Sequence, residues 1–421
     1  VTTNPFPESV RRRITLVLFI GQSFFSAAMI AGFTLTPIIA ASLTGSDSAA
    51  GVPNTLMLLG RAAAAYPLGW LLDHAGRRWG LTAGFLLAVV GSALAVVSII
   101  GASFIGFCLG AALTGMGRAA SDQSRYVAAE VQTASKRAKV IGLIVFAGTV
   151  GAVAGPLIVD PSGQLAARLG LAVSTGPFVM GALLYFLALL VTVVFLRPDP
   201  LAVGRAVAVA EQPETAGAKG GRALSRIFAD PLVVLAVAAM VIGQLVMTLV
   251  MVITPLHMDH YDHGTQAISL VIMAHTLGMF GLSSVTGWLI DRFGRLAMIV
   301  TGALVLVGAT LLAPISTAVP VLAFALFLLG LGWNFCFIAG SSLLSDALAA
   351  GERGRGQGAS EMMVALAAGT GSLGTGAVFA RGGMAAVSAV GLAFSLALIA
   401  TYAWLTLSRH LAQPDQMGTR I

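Results

Sequence analysis

Charge is scarce in this chain of 421 residues: Asp, Glu, Lys and Arg together make up 10% of it, where a soluble globular protein carries about 25%. With 57% hydrophobic residues, the chain cannot clothe a soluble enzyme in polar surface, is too apolar for a disordered protein, and has no basic stripe for nucleic acid. Cysteine is rarer still. Cys108 and Cys336 both lie inside apolar runs, so neither a disulfide framework nor a thiolate cluster can form. Also missing are a phosphate-cradling Gly-x-x-x-x-Gly-Lys loop, a nucleotide-binding domain and a serine with a matching His–Asp set. No enzyme and no cofactor are expected. Alternation over ~10-residue stretches, the mark of barrel strands, is absent as well.

What is abundant is apolar sequence in runs of about 20 residues, each long enough to cross a bilayer as a helix. Twelve such runs begin near residues 14, 53, 81, 103, 138, 174, 232, 265, 297, 319, 357 and 385. The fold expected is an all-α membrane protein of twelve transmembrane helices. Basic residues mark its sides. Arg11, Arg12 and Arg13 precede the first span, Arg77 and Arg78 follow the second, and Lys136, Arg137 and Lys139 follow the fourth. Arg197 to Arg226 follow the sixth, Arg292 and Arg295 the eighth, Arg353 and Arg355 the tenth, and Arg409 the last. The other side holds little more than Arg168 and Arg381. By the positive-inside rule both termini and the middle loop are cytoplasmic. No cleavable signal is expected, since polar Ser46-Asp47-Ser48 rather than a processing site follows the first span. Residues 197–229, rich in Pro, Gly, Ala and charge, form a linker between an N-terminal six-helix bundle (1–196) and a C-terminal one (230–421). Abundant alanine, with 21 arginines against 3 lysines, suggests a GC-rich bacterial source and so a multi-pass protein of the bacterial inner membrane.

The two halves repeat each other. Gly69-Trp70-Leu71-Leu72-Asp73-His74-Ala75-Gly76-Arg77 recurs at an offset of 218 as Gly287-Trp288-Leu289-Ile290-Asp291-Arg292-Phe293-Gly294-Arg295. Glu130 and Arg137 recur as Asp346 and Arg353 at an offset of 216, and Gly21-Gln22 with Met29 as Gly243-Gln244 with Met251 at 222. Near-equal offsets at three separate places indicate duplication. The Gly-x-x-x-Asp-x-x-Gly-Arg loops resemble the signature loop of the major facilitator superfamily. Gly115-Met116-Gly117-Arg118 resembles its span-four arginine motif, and Gly151-x-x-x-Gly155-Pro156 resembles, more loosely, its span-five Gly-Pro motif. The resemblance covers the whole chain. It implies two pseudo-symmetric six-helix bundles around a midplane cavity that opens alternately to each side, with transport driven by gradients.

The loop charges have a physical task of their own. Asp73, and Asp291 in the second half, can sit against the positive N-terminus of a neighbouring helix. Arg77 can pair with Glu130 and Arg295 with Asp346, with Arg137 and Arg353 close by in sequence. Such pairs would hold the cytoplasmic side shut in one state and separate in the other; the plainer role is to fix topology.

One cluster points to a metal. Span seven carries Gln244-x-x-Met247-x-x-x-Met251, span eight His275-x-x-x-Met279, and the turn between them His257-Met258-Asp259-His260-Tyr261-Asp262-His263. Spacing of four places each pair on one helical face. About a turn centred near 263, Met251 is level with His275 and Met247 with Met279. Thioether and imidazole together suit copper(I), and a histidine inside a span is functional by default. His257, Met258, His260 and His263 could collect metal outside. The combination resembles the CcoA-like copper importers of the superfamily, which implies Met247, Met251, His275 and Met279 as the site and copper as the transported substrate. Related members move riboflavin. Methionines that merely fill gaps are the simpler alternative.

The first half argues otherwise. Arg61 lies 12 residues before Asp73, and Arg118 lies 12 before Glu130, so each sits about 18 Å from the cytoplasmic end, near mid-membrane. Asp122 can neutralise one arginine but not Arg61, Arg118 and Arg125 together. A cavity with surplus positive charge repels a bare cation and suits an organic anion; alternatively the Arg118–Asp122 pair couples transport to protons. Gln22, Gln244 and Asn334 are further polar candidates for the cavity. Glu361 reads as a helix-opening carboxylate. Two readings therefore stand: a copper transporter, or a proton-coupled carrier of small organic molecules such as a drug or a riboflavin-like vitamin. The partners expected are membrane lipids and the transported solute or metal ion, with the chain a monomer.

Overall fold

The computed structural model describes residues 6–45, 49, 51–211, 222–263, 265–349 and 351–411; the polar turn Ser46-Asp47-Ser48 and the middle of the linker lie outside them. The first half runs α1 (Glu8–Thr44), α2 (Val52–His74), α3 (Arg77–Ile100), α4 (Phe104–Glu130), α5 (Arg137–Arg168) and α6 (Gly176–Phe195). The linker holds α7 (Pro200–Glu211) and the short α8 (Leu224–Ile227). The second half runs α9 (Pro231–Asp259), α10 (Thr265–Thr276), one π-helical turn (Leu277–Gly281), α11 (Ser283–Phe293), α12 (Arg295–Leu312), α13 (Val319–Ala347) and α14 (Arg353–Leu411).

These elements make twelve crossings. The stretch from α10 through α11 is a single span bent by 43° at the π turn, one of the few features that kink a helix sharply. The apolar part of α14, 53 residues long, would reach about 80 Å as one straight helix, well over the ~30 Å of a hydrocarbon core. It divides at Gly382 and Gly383, whose backbone leaves the helical region. Local sequence sets several starts. Asp230 accepts from the Leu232 N–H ahead of α9, Ser103 caps α4, and proline occupies the first turn of α2, α6, α9 and α13.

The repeated loops fold alike. Gly76 (φ 95°, ψ 158°) precedes α3 and Gly294 (φ 92°, ψ 156°) precedes α12. That backbone region is open essentially to glycine alone, which explains the glycine before each arginine. Each half has its own apolar core, the first around Phe25, Phe85 and Tyr185, the second around Leu306, Leu326, Leu329 and Cys336. Large apolar side chains on the outer faces, such as Ile105, Leu157 and Leu373, stay exposed, as lipid contact requires.

Candidate functional site

At the arginine-rich end the halves are joined by two equivalent carboxylates. Asp73, at the end of α2, accepts the N–H groups of Gly354 and Arg355 at 2.9 Å each, in the first turn of α14. Asp291, near the end of α11, accepts from Ala138 at 3.3 Å and Lys139 at 2.8 Å, in the first turn of α5. Each carboxylate thus meets the positive end of a helix in the other half. The expected ion pairs are present as well. Arg77 holds Glu130 through two bonds of 2.7 and 3.1 Å and Asp73 at 2.7 Å. Arg295 pairs with Asp346 at 3.0 Å, and Arg137 crosses from the other half to the same carboxylate at 2.6 Å. Arg353 approaches Glu130 at 3.7 Å. Backbones touch along both seams, since a Cβ on Gly69 would lie 2.2 Å from the Gly354 carbonyl oxygen, and one on Gly142 would lie 2.2 Å from that of Ser283.

Above these seams, between α1, α2, α4 and α5 on one side and α9, the π turn and α13 on the other, lies a cavity of about 240 Å³. Its first-half wall is charged. Arg61 pairs with Asp122 at 2.6 Å and reaches Glu361, on α14, at 3.4 Å. Arg125 makes a short ion pair with the other oxygen of Glu361, and the Tyr126 hydroxyl donates to that oxygen at 3.2 Å. Two arginines and two carboxylates therefore balance. Arg118 is left over: its half-buried guanidinium donates to Met29 Sδ at 2.9 Å and makes no ion pair among the described residues. The second-half wall is aromatic. Trp333 stacks on Phe337 with centroids 4.5 Å apart and meets Phe280 edge-on at 5.9 Å. Gln244 accepts from the Trp333 indole at 3.0 Å and donates to Thr248 at 3.1 Å. Gln22 accepts from Ser121 on the opposite wall.

The sequence candidates separate at this cavity. Arg61, Arg118, Asp122, Gln22 and Gln244 line it; Asn334 does not, being fully buried behind the wall. Met247 and Met279 line it, whereas Met251 packs against the second core and His275 turns away, with Nδ1 2.9 Å from the Leu326 carbonyl oxygen. For the pair in the eighth span the physical reason is the π turn. Spacing of four shares a face only along an unbroken α-helix, and His275 precedes the turn while Met279 lies within it. The outer group is likewise dispersed. Met258 is fully buried in the core, His257 packs on Tyr261 and Phe379, and His263 Nε2 is 2.7 Å from the Thr317 carbonyl oxygen. His260 stays at the surface beside Phe379. Among the described residues no three His, Cys, Asp or Glu side chains come together to hold a metal ion. Glu361 corrects a reading in the other direction: it is no helix-opening cap but lies two turns inside α14, with no exposed surface, at the centre of the charge network.

Twelve crossings in two six-helix bundles around a central cavity define a solute transporter of the membrane. The chain matches the family model of the Major Facilitator Superfamily over residues 16–268 and 239–418, and it belongs to that superfamily. It is 35% identical to the MFS-type transporter YdeG of Bacillus subtilis (strain 168) over 94% of this chain and 93% of that protein. It is 29% identical to the riboflavin transporter RfnT of Brucella anthropi, over 84% of this chain and 85% of that one. Among solved structures it superposes on the human organic anion transporter MFSD10 with a TM-score of 0.74 at 18% identity, covering 93% of this chain and 99% of that chain. A bacterial homologue of the iron transporter ferroportin in an outward-facing state gives 0.73 at 14% identity, covering 93% and 99%. The chain is accordingly a secondary transporter and not an enzyme.

Proposed function

We propose that this protein carries a small organic solute with an aromatic or otherwise flat apolar body and an anionic or strongly accepting group through its central cavity by alternating access. The observation that carries the reading is Arg118, a cation without a carboxylate, facing a wall of Phe280, Trp333 and Phe337. A guanidinium recognises carboxylate, phosphate or carbonyl oxygens directionally, and aromatic faces hold flat rings by stacking. The likeness to a riboflavin transporter supports a heteroaromatic solute. Copper fits less well. Only Met247 and Met279 of its four ligands line the cavity, and the surplus charge at Arg118 repels a bare cation. The signature-loop charges serve as the gate of the arginine-rich end, which is cytoplasmic, as are both termini, in a monomer of the bacterial inner membrane. Glu361, whose arginine partners Arg61 and Arg125 both lie in the other half, is released when the halves part and supplies a site for a coupling proton, while Asp122 keeps Arg61 within its own half.

Counterflow in proteoliposomes tests this with three separate probes: riboflavin, benzoate and copper(I). Flux of an organic probe is expected, and Arg118→Ala should lower it by about tenfold or more, the loss that follows removal of a charged hydrogen-bond partner. Copper flux that disappears in the Met247→Ala plus His275→Ala variant, with no organic flux, would overturn the proposal.

A further inference from the structure

The two seams that join the halves end differently where they reach the cavity. The α2–α14 seam closes on the Arg61–Glu361 ion pair. The α5–α11 seam closes on an aromatic ring: a Cβ on Gly148 would lie 3.1 Å from the Phe280 ring, so the bare backbone of α5 is what leaves room for it. Phe280 belongs to the π turn, the only such turn among the described residues. A π turn needs support, because it departs from regular helical hydrogen bonding, and such turns occur frequently at functional sites.

The support comes from α13. Asn334 Nδ2 donates both of its hydrogens into the bend, to the Met279 carbonyl oxygen at 2.6 Å and to Ser283 Oγ at 2.7 Å. Those two acceptors flank Phe280 in the chain. Above the bend α10 is fixed to the same helix, by His275 on the Leu326 carbonyl and by Gly330, whose Cβ would lie 2.4 Å from the His275 carbonyl oxygen. Below the bend α11 lies on α5. The π turn is therefore the joint between a segment anchored within its own half and a segment docked on the other half. Asn334 Oδ1 is buried and has no hydrogen-bond partner among the described residues. A full set of bonds would be expected of an amide that served packing alone; this one is turned for its donors.

We propose that Asn334 is a positioning residue that holds the π turn so that Phe280 sits over Gly148 and closes the cavity along the α5–α11 seam. Opening the cavity toward the arginine-rich end then takes two unlike events: separation of an ion pair on one seam and withdrawal of a ring on the other. The inference rests on the cavity being the solute pathway, but its test requires no solute.

Cysteines at Gly148→Cys and Phe280→Cys are crosslinked in membranes containing the full chain. A control pair, Lys139→Cys with Arg292→Cys, lies lower on the same seam, exposed on either side of the Asp291 bond to the residue 139 N–H, and is joined by a short bifunctional reagent. Both pairs should crosslink in the otherwise unchanged protein. Asn334→Leu should lower the 148–280 yield by about fivefold or more, the shift that loss of a buried hydrogen bond supports, while the control pair changes little. Asn334→Asp, equal in shape but without the amide donors, is the second variant should the leucine not insert, and the same split is expected. An unchanged 148–280 yield in either inserted variant overturns the proposal, as does an equal fall at both pairs, which would mark Asn334 as a general packing residue. Failed solute flux in the counterflow assay leaves these yields untouched, so the two readings fail separately.

Discussion

Asp73 and Asp291 perform one task at opposite corners of the arginine-rich face: each carboxylate caps the first turn of a helix belonging to the other half. A charged cap of this kind is worth about 1 kcal/mol, and here it exists only while the halves are together. Asp73→Ala and Asp291→Ala should therefore shift the protein toward the separated state by about fivefold each. The two sites share no partner, so the double variant should combine both shifts. Spin labels on His74 and Arg292, exposed and one in each half, report the separation. A distance distribution unchanged in the double variant would sink the gating role.

Glu361 carries a larger share. It lies wholly buried between Arg61, Arg125 and Tyr126, all from the other half. Glu361→Gln leaves both arginines to Asp122 alone, and breaking a buried pair from one side costs about 3–5 kcal/mol. Because the pair spans the halves, the cost falls on the joined state. The expected result is a wide gain in the His74–Arg292 distance with a modest drop in Tm. Cys108 and Cys336 are both buried and free, so a thiol-reactive dye reads Tm directly. Restoring balance with Arg125→Gln should recover part of the loss. A Tm fall with no change in distance would make Glu361 a fold residue only.

The loop glycines allow a comparison within one molecule. Gly76 and Gly294 hold nearly the same backbone conformation, but a Cβ on Gly76 would meet Asp199 Oδ2 at 2.6 Å, while Gly294 has open space around it. Gly294→Ala should cost strain alone, about 1–3 kcal/mol. Gly76→Ala adds displacement of Asp199, which accepts from the Arg77 and Arg78 N–H groups at 3.1 Å each. The Gly76 variant should have the lower Tm; the reverse order would refute this account of the two loops.

The elements that repeat were legible without coordinates. Asp73 and Asp291, Arg77 with Glu130, and Arg295 with Asp346 all follow from register, because a duplicated sequence folds twice in the same way. Residues whose role depends on rotation about a helix axis were not. The hairpin arithmetic gives the height of Met247, Met279 and His275 but not their azimuth, and the π turn that separates the last two leaves no mark in their spacing. Glu361 was misplaced for a related reason. Its helix begins at Arg353, earlier than the apolar run, and it faces α2 because Gly354 and Gly358 bring that backbone close. Asp122 did read correctly as too little charge for three arginines; what could not be read was which of them, Arg118, would remain.

The linker offers the clearest pH test, since its end is held outside the membrane. Arg222 donates to Glu352 through its backbone N–H and its guanidinium, with the closest guanidinium bond at 2.9 Å, and Arg355 donates to the Arg222 carbonyl at 2.7 Å. The linker is thus tied to the turn whose next residues Asp73 caps. Burial alone would push the Glu352 carboxyl up, but the hydrogen bonds and charge of Arg222 outweigh it and hold the carboxyl below its ordinary value of 4.5. For a depressed carboxylate the stabilisation is complete above the ordinary value and is lost as pH falls through the lowered one. Protection of residues 222–230 from hydrogen exchange, corrected for the intrinsic rate, should hold constant at pH values above the ordinary 4.5 and be lost as pH falls below it. Arg222 is partly exposed, so the tie is modest and screened by salt; about threefold in protection is expected, shrinking at high ionic strength. In Arg222→Ala the step should vanish, with low protection at every pH. A step that persists in that variant would assign the titration to another group and release the linker from the Glu352 turn.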